Sequence, residues 1–295
     1  MNLMFREPLS PKAVPWPKEP LLTVRVAAWI GSSRPFTVYS RPLGVPMPGA
    51  DGMVAPIVSL LAEARRGVIL AGCLRTEAER LAVAALGSRL GWPVLPDVSS
   101  GLRGPHRSTA FAPVVPLVDL LLAARPLSGP LAPDVCFQVG GRIVGRRLQG
   151  LAASARSHIV IEPHGERCDP LHSVTHRVQG PAAPLMCSLH TQLGNRRLAP
   201  SPLLALCAAS RALEAALARE FAADDVLSEI WVCRHVSEVL TAPGDGAPPL
   251  LFSSNSGPIR HLDTYCALVP PVLCNRGASG IDGIMHTALG VAVAH

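Results

Sequence analysis

A chain of 295 residues has room for one large or two medium domains. Its composition, 48% hydrophobic but only 4% aromatic, asks for a core of Leu, Val, Ile and Ala, which suits helices on buried parallel strands better than an aromatic-rich sandwich. The net charge of +6 is carried by arginine, Lys12 and Lys18 being the only lysines; the arginines are scattered, in pairs at most, without the aromatic-interleaved stripe of a nucleic-acid binder, and no apolar run approaches the roughly 20 residues of a membrane helix.

The first 20 residues are Pro-rich (Pro8, Pro11, Pro15, Pro17, Pro20) and read as a linker, with neither a signal-peptide core nor a transit-like Arg/Ser bias. Residues 31–52 continue in loop character, and order is expected to begin at Gly67-Val-Ile-Leu-Ala-Gly72, an apolar run bounded by glycines that predicts a buried strand. Thr76 caps a helix to about Leu90, with Glu77 and Glu79 near its positive end, and Gly91 stops it. A strand at 92–96, a helix over 116–124, a strand over 134–139, a helix over 142–153 and a strand over 158–161 follow, an alternation that implies a doubly wound parallel sheet. Its limits are set at 21–196. Past the break Leu198-Ala-Pro-Ser-Pro202, helices are expected from 203 and over 228–240, then a strand at 250–253, a helix from Pro258, a strand at 271–274 and a helix near Asp282. Residues 197–295 therefore read as the beginning of a second α/β domain.

Eight cysteines without CxxC pairing, several inside apolar segments such as Cys136, point to a reducing compartment. His164, Cys168, His172 and His176 recur every four residues as zinc ligands on a helix would, but Pro163, Gly165 and Pro170 forbid a continuous helix there, and no metal site is assigned. Val139-Gly-Gly-Arg-Ile-Val-Gly145 mimics a dinucleotide loop but lacks the full pattern, so its glycines are assigned to close helix–sheet packing.

Ligands of open α/β sheets bind beyond the carboxyl ends of the strands. Two segments fall there: Phe252-Ser-Ser-Asn-Ser-Gly-Pro-Ile-Arg260 and Cys274-Asn-Arg-Gly-Ala-Ser-Gly-Ile-Asp-Gly283. Each joins a strand end to small residues, glycine and an arginine, and two arginines at one crevice suit carboxylate recognition through forked hydrogen bonds.

The loop Asn275-Arg-Gly-Ala-Ser-Gly-Ile-Asp-Gly283 resembles the signature of the 2-succinyl-5-enolpyruvyl-6-hydroxy-3-cyclohexene-1-carboxylate synthase (MenD) family, thiamin-diphosphate enzymes of menaquinone and phylloquinone synthesis. Phe5-Arg-Glu-Pro-Leu9, Arg66-Gly-Val-Ile-Leu-Ala-Gly72, Gly91-Trp-Pro-Val94, Gly140-Gly-Arg142 with Arg147-Leu148, and Asn255-Ser256 with Ile259-Arg260 resemble successive parts of that family. Asp169-Pro-Leu-His-Ser-Val-Thr-His-Arg177 looks most like its plant and algal multifunctional form, which implies a plastid setting, or the cytoplasm otherwise.

The resemblance implies decarboxylation of 2-oxoglutarate and conjugate addition of the resulting unit to isochorismate, with thiamin diphosphate and Mg²⁺, in a homodimer or homotetramer. It implies that Ser256 and Arg260 contact isochorismate, that Arg276 binds a substrate carboxylate, that Arg65 and Arg66 reach the same site from the middle domain, and that Gly280 and Ile281 meet the cofactor. Ser254 stands where the family has glycine, and His286 where a small hydroxyl residue is usual. The glutamate that activates the cofactor is expected upstream of Met1, and the acidic Mg²⁺ motif downstream of His295, so no turnover is expected of this chain alone. Gly244-Asp-Gly246 does not replace that motif, because it sits in a Pro-rich loop. The rival readings are a non-catalytic remnant of such an enzyme and another thiamin-diphosphate class, such as an acetohydroxyacid synthase.

Overall fold

The computed structural model describes residues 29, 31–34, 36–40, 50–104, 112–165, 168–196, 198–223, 226–243, 249–275 and 282–294; the linker assigned to 1–20 lies outside them. Six strands form one sheet, all parallel: β1 (Val38–Ser40), β2 (Gly67–Ala71), β3 (Val94–Pro96), β4 (Val135–Val139), β5 (Ser157–Glu162) and β6 (His176–Gln179), in the order β1-β6-β5-β4-β2-β3.

Alternation along the central strands decides which helix covers which face. Ile69 and Ala71 of β2 and Val135, Phe137 and Val139 of β4 pack with α1 (Ala50–Glu63), α2 (Glu77–Leu90) and α5 (Ala182–Leu193). Val68, Leu70 and Cys136 point the other way, onto α3 (Val118–Ala124) and α4 (Arg146–Ser154). Both faces are thus dry, which is why β2 and β5 read as unbroken apolar or buried runs. The doubly wound α/β reading holds.

The caps follow local chemistry. Thr76 and Glu79 form a reciprocal capping box at the start of α2, and Gly91 closes it in the left-handed region at φ 64. The expectation that order begins only at Gly67 is corrected: α1 precedes it, and β1 lies within the supposed loop. Val54, Ile57, Val58 and Leu61 carry a helical period that buries them against the sheet, while Pro56 and the neighbouring Gly and Pro residues mask it. β6 and α5 also add to the elements expected; Pro184 sits in the first turn of α5, where its missing N–H costs no helical hydrogen bond.

Beyond the sheet, α6 (Ala205–Ala222) and α7 (Glu229–Thr241) lead to a second, two-stranded parallel sheet of β7 (Leu251–Ser253) and β8 (Val272–Cys274), joined by α8 (Gly257–Tyr265) and followed by α9 (Ile284–Ala294). Arg234 of α7 is buried and ties these helices together, bonding Glu214 of α6 at 2.8 Å and the Tyr265 carbonyl of α8 at 2.6 Å. No helix among the described residues is long and apolar enough to cross a membrane.

Two crossovers leave the carboxyl edge of the large sheet side by side, after β2 and after β4. Gly140 has φ 83, and a Cβ there would come within 2.7 Å of the Cys73 carbonyl oxygen. Both the dihedral and the backbone contact exclude a side chain. Gly140→Ala is expected to destabilise the chain by about 1–3 kcal/mol, read as a lower urea midpoint at unchanged slope.

Candidate functional site

β7 ends at Ser253, and the chain turns through Asn255 and Ser256 into α8. Ser256 adopts a positive φ of 68, unusual for a residue with a side chain. Arg260, one turn on, folds back over it: Nε donates to the Ser256 carbonyl at 2.9 Å and a terminal nitrogen to Ser256 Oγ at 3.0 Å. Both residues are exposed. Asn255 is buried and donates to the Asn275 carbonyl at 3.4 Å; Asn275 in turn donates to Thr287 Oγ1 at 3.0 Å. The residue preceding Arg276 is therefore held beside the β7 loop and the first turn of α9. Arg276, Gly280 and Ile281 lie outside the described residues.

Arg260 opens onto a cleft of about 150 Å³, lined also by Arg146, Arg147, Asp119, Asp263 and Thr264. Its walls come from both sheets. Arg146 and Arg147 begin α4, after the glycine-rich crossover from β4; Asp119 is in the first turn of α3; Asp263 and Thr264 belong to α8. Arg147 donates to Asp119 Oδ2 at 2.7 Å with half its side chain still exposed, and Thr264 donates to the same oxygen at 3.3 Å. Three guanidinium groups thus stand at the N-terminus of α4, with the Asp119 and Asp263 carboxyls in the same lining.

The junction beneath is closed by buried charge. Arg103, with 0% of its side chain exposed, donates to Asp263 Oδ1 at 2.7 Å, to the Asp263 carbonyl at 2.7 Å and to the Pro96 carbonyl at 2.6 Å. Asp263 Oδ1 also accepts from the Val98 amide at 3.0 Å. Asp97, at the end of β3, accepts from the Val144 amide at 2.5 Å and the Ser99 amide at 2.9 Å. Val98, Val144, Ile259, Leu262, Cys266, Val269 and Val272 fill the space around these groups. Burial above all raises the Asp263 carboxyl, Arg103 pulls it down and Asp97 and Asp119 push it up, leaving it at about 7.

Arg65 and Arg66 do not join this cleft. They precede β2, at the amino edge, where their amides donate to the Asp134 carboxylate at 2.9 Å each and Arg66 Nε donates to the Ala132 carbonyl at 2.8 Å. A five-residue strand, roughly 15 Å, separates that edge from the carboxyl edge. The middle-region basic pair that lines the cleft is Arg146–Arg147. Its signal lay in the sequence, as a strand running through two glycines into a helix, but the incomplete glycine pattern directed that loop to packing alone. Asp119, Asp263 and Thr264 had no sequence signal, because their importance arises only where two sheets meet. The His164 to His176 series does not form a helix face: Cys168 Sγ accepts from Arg142 Nε at 3.4 Å, and His176 stands in β6.

A parallel sheet sealed by helices on both faces marks an α/β domain. Residues 23–245 match the family described as "Middle domain of thiamine pyrophosphate", and the chain belongs to that family. It is similar to 2-succinyl-5-enolpyruvyl-6-hydroxy-3-cyclohexene-1-carboxylate synthase of Rubrobacter xylanophilus, 39% identical over 99% of this chain and 48% of the relative. The Salinibacter ruber protein of the same name is 32% identical over 99% of this chain and 48% of its own length. Protein PHYLLO, chloroplastic, of Arabidopsis thaliana is 31% identical over 99% of this chain and 18% of its length. The chain thus spans about half the length of the synthases it matches.

Asp263→Ala leaves Arg103 buried without its counter-charge and is expected to cost about 3–5 kcal/mol in urea unfolding. The folded carboxyl of Asp263 binds its proton more tightly than an unfolded aspartate, so the stability it contributes is fully present below about pH 4 and is lost as pH rises from there to about 7. The stability margin of the wild type over Asp263→Asn should therefore shrink between about pH 4 and pH 7.

Proposed function

We propose that this chain is the portion of a 2-succinyl-5-enolpyruvyl-6-hydroxy-3-cyclohexene-1-carboxylate synthase that joins the middle domain, 21–196, to the first part of the diphosphate-binding domain, 197–295. The parent activity is decarboxylation of 2-oxoglutarate and conjugate addition of the four-carbon unit to isochorismate, in menaquinone or phylloquinone synthesis. The setting would be the plastid in a plant or alga and the cytoplasm elsewhere, in a homodimer or homotetramer. The observation that carries this reading is the cleft that brings Arg260, beside Ser256, together with Arg146 and Arg147. Both substrates are carboxylates, and forked guanidinium groups bind carboxylates in two-point fashion.

The donor set fits a substrate carboxylate better than the cofactor's diphosphate. Asp119 and Asp263 line the same cleft and would repel a polyanion seated deeply, whereas a carboxylate at the mouth meets only the arginines. Gly280 and Ile281 are proposed to meet thiamin diphosphate, and Arg276 a substrate carboxylate. Mg²⁺ belongs to the same proposal without an assigned residue. Thiamin diphosphate, when bound, supplies the carbanion chemistry. The chain's own contribution is to place the acidic substrates: Arg260 at the Ser256 turn, Arg147 braced on Asp119, and Arg146 beside it, act on charge and orientation.

A chimera tests the reading: this chain replaces the corresponding half of the Rubrobacter xylanophilus synthase, and product formation from 2-oxoglutarate and isochorismate is followed. Activity is expected, with Arg260→Ala lowering kcat/KM on the order of 10²-fold. A folded chimera that forms no product, or one indifferent to Arg260→Ala, contradicts it.

A further inference from the structure

The last helix is apolar on every side and yet buries nothing. α9 holds no Asp, Glu, Lys or Arg, and none of its residues is buried. Ile284, Ala288 and Val291 are half-buried on one face, whereas Met285, Leu289 and Val293 form an outward stripe exposed to 79%, 65% and 82%. A helix that is hydrophobic all round belongs in an interior. The small sheet shares this condition. β7 and β8 pair only with each other among the described residues. Val272 points into the apolar patch shared with α8, while Phe252 and Leu273, opposite one another in register, turn to the other face, where Leu273 is 42% exposed. Parallel strands are ordinarily covered on both faces.

We propose that the outward stripe of α9 and the Phe252–Leu273 face form a docking surface whose occupant is the part of a 2-succinyl-5-enolpyruvyl-6-hydroxy-3-cyclohexene-1-carboxylate synthase that this chain does not match. The identity of the occupant rests on the proposed function; the bareness of the surface does not. The Rubrobacter xylanophilus and Salinibacter ruber synthases each match this chain over 48% of their length, which leaves about half of each polypeptide to supply the cover. α9 has no basic face to hold a lipid headgroup or a nucleic acid. Two copies packed α9 to α9 would engage three exposed apolar side chains each, far short of the roughly 20–30 residues a side of a stable interface.

Cover at this surface reaches the candidate site. Thr287 Oγ1, in the first turn of α9, accepts from Asn275 at 3.0 Å, and the Asn275 carbonyl accepts from Asn255 at 3.4 Å. Asn255 runs directly into Ser256, which Arg260 holds through two hydrogen bonds. A docked α9 therefore fixes Asn275 and, through it, the turn that presents Ser256 and Arg260.

Hydrogen–deuterium exchange of residues 284–294 tests this in the free 295-residue chain and in the Rubrobacter xylanophilus chimera. The α9 amides should exchange on the order of 10²-fold more slowly in the chimera. Leu289→Ala should leave the urea midpoint of the free chain unchanged, yet cost α9 of the chimera about tenfold or more of its protection. Thr287→Val, which keeps the outward stripe, should leave α9 protected in the chimera but speed exchange around Asn255 and Asn275. Equal exchange of α9 in the two proteins, or a Leu289→Ala effect of the same size in both, overturns the proposal. So does a free chain that sediments as a dimer with α9 already protected, which would make a second copy the occupant. A chimera that cannot fold counts against it equally, since a fitted face should seat that half of the relative. Thr287→Val without effect around Asn255 and Asn275 overturns the link to the site. Exchange is read without turnover: a chimera that protects α9 but forms no product contradicts the proposed function alone, and an active chimera with α9 bare contradicts the docking alone.

Discussion

A guanidinium sealed from water must find acceptors among protein atoms, and Arg103 finds them on two elements at once. The Pro96 carbonyl at the end of β3 takes two of its hydrogen bonds, and the Asp263 carboxylate and the Asp263 and Cys266 carbonyls at the end of α8 take others. A cation at a helix carboxyl end also opposes the helix dipole. The consequence is geometric: α8 cannot rotate or slide against the large sheet without stranding a buried charge. Arg260 sits one turn before Asp263 on the same helix, so the constraint that fixes Asp263 also fixes where Arg260 emerges.

The site then follows from the direction of the strands. In a parallel sheet every crossover leaves from one edge, so the turn after β3, which holds Asp97, and the crossover after β4, which delivers Arg146 and Arg147, are neighbours. α8 packs onto that edge through the apolar patch of Val98, Val144, Ile259 and Val272. Cations collect at the mouth and carboxylates beneath. On the proposed function, that separation leaves the arginines to meet an acidic metabolite while the carboxyls under them are met by buried Arg103 and by backbone amides. The proposed function would use such an arrangement, because thiamin diphosphate would contribute the carbanion chemistry and leave recognition to the protein.

Much of this was written in the sequence. Glycine-bounded apolar runs marked β2, and the Thr76 cap with its glutamates marked α2, because these signals are local and agree with one another. α1 was hidden by Pro56 and its Gly- and Pro-rich approach, although its apolar period is regular. Ser256 and Arg260 were legible as a strand end running into a helix. Arg65 and Arg66 were given a site role by resemblance alone; their place before β2 puts them at the amino edge of the sheet, away from this cleft. Asp119 and Asp263 are 144 residues apart in the chain, and no local pattern announces that both will border Gly145.

The most direct test is an electron-density map of the chain crystallised with 2-oxoglutarate. The dicarboxylate should sit in the cleft with a carboxylate within about 3 Å of both the Arg147 and Arg260 guanidinium groups. Density for the ligand at the amino edge beside Arg65 and Arg66, with the cleft empty at saturating concentration, would contradict the account.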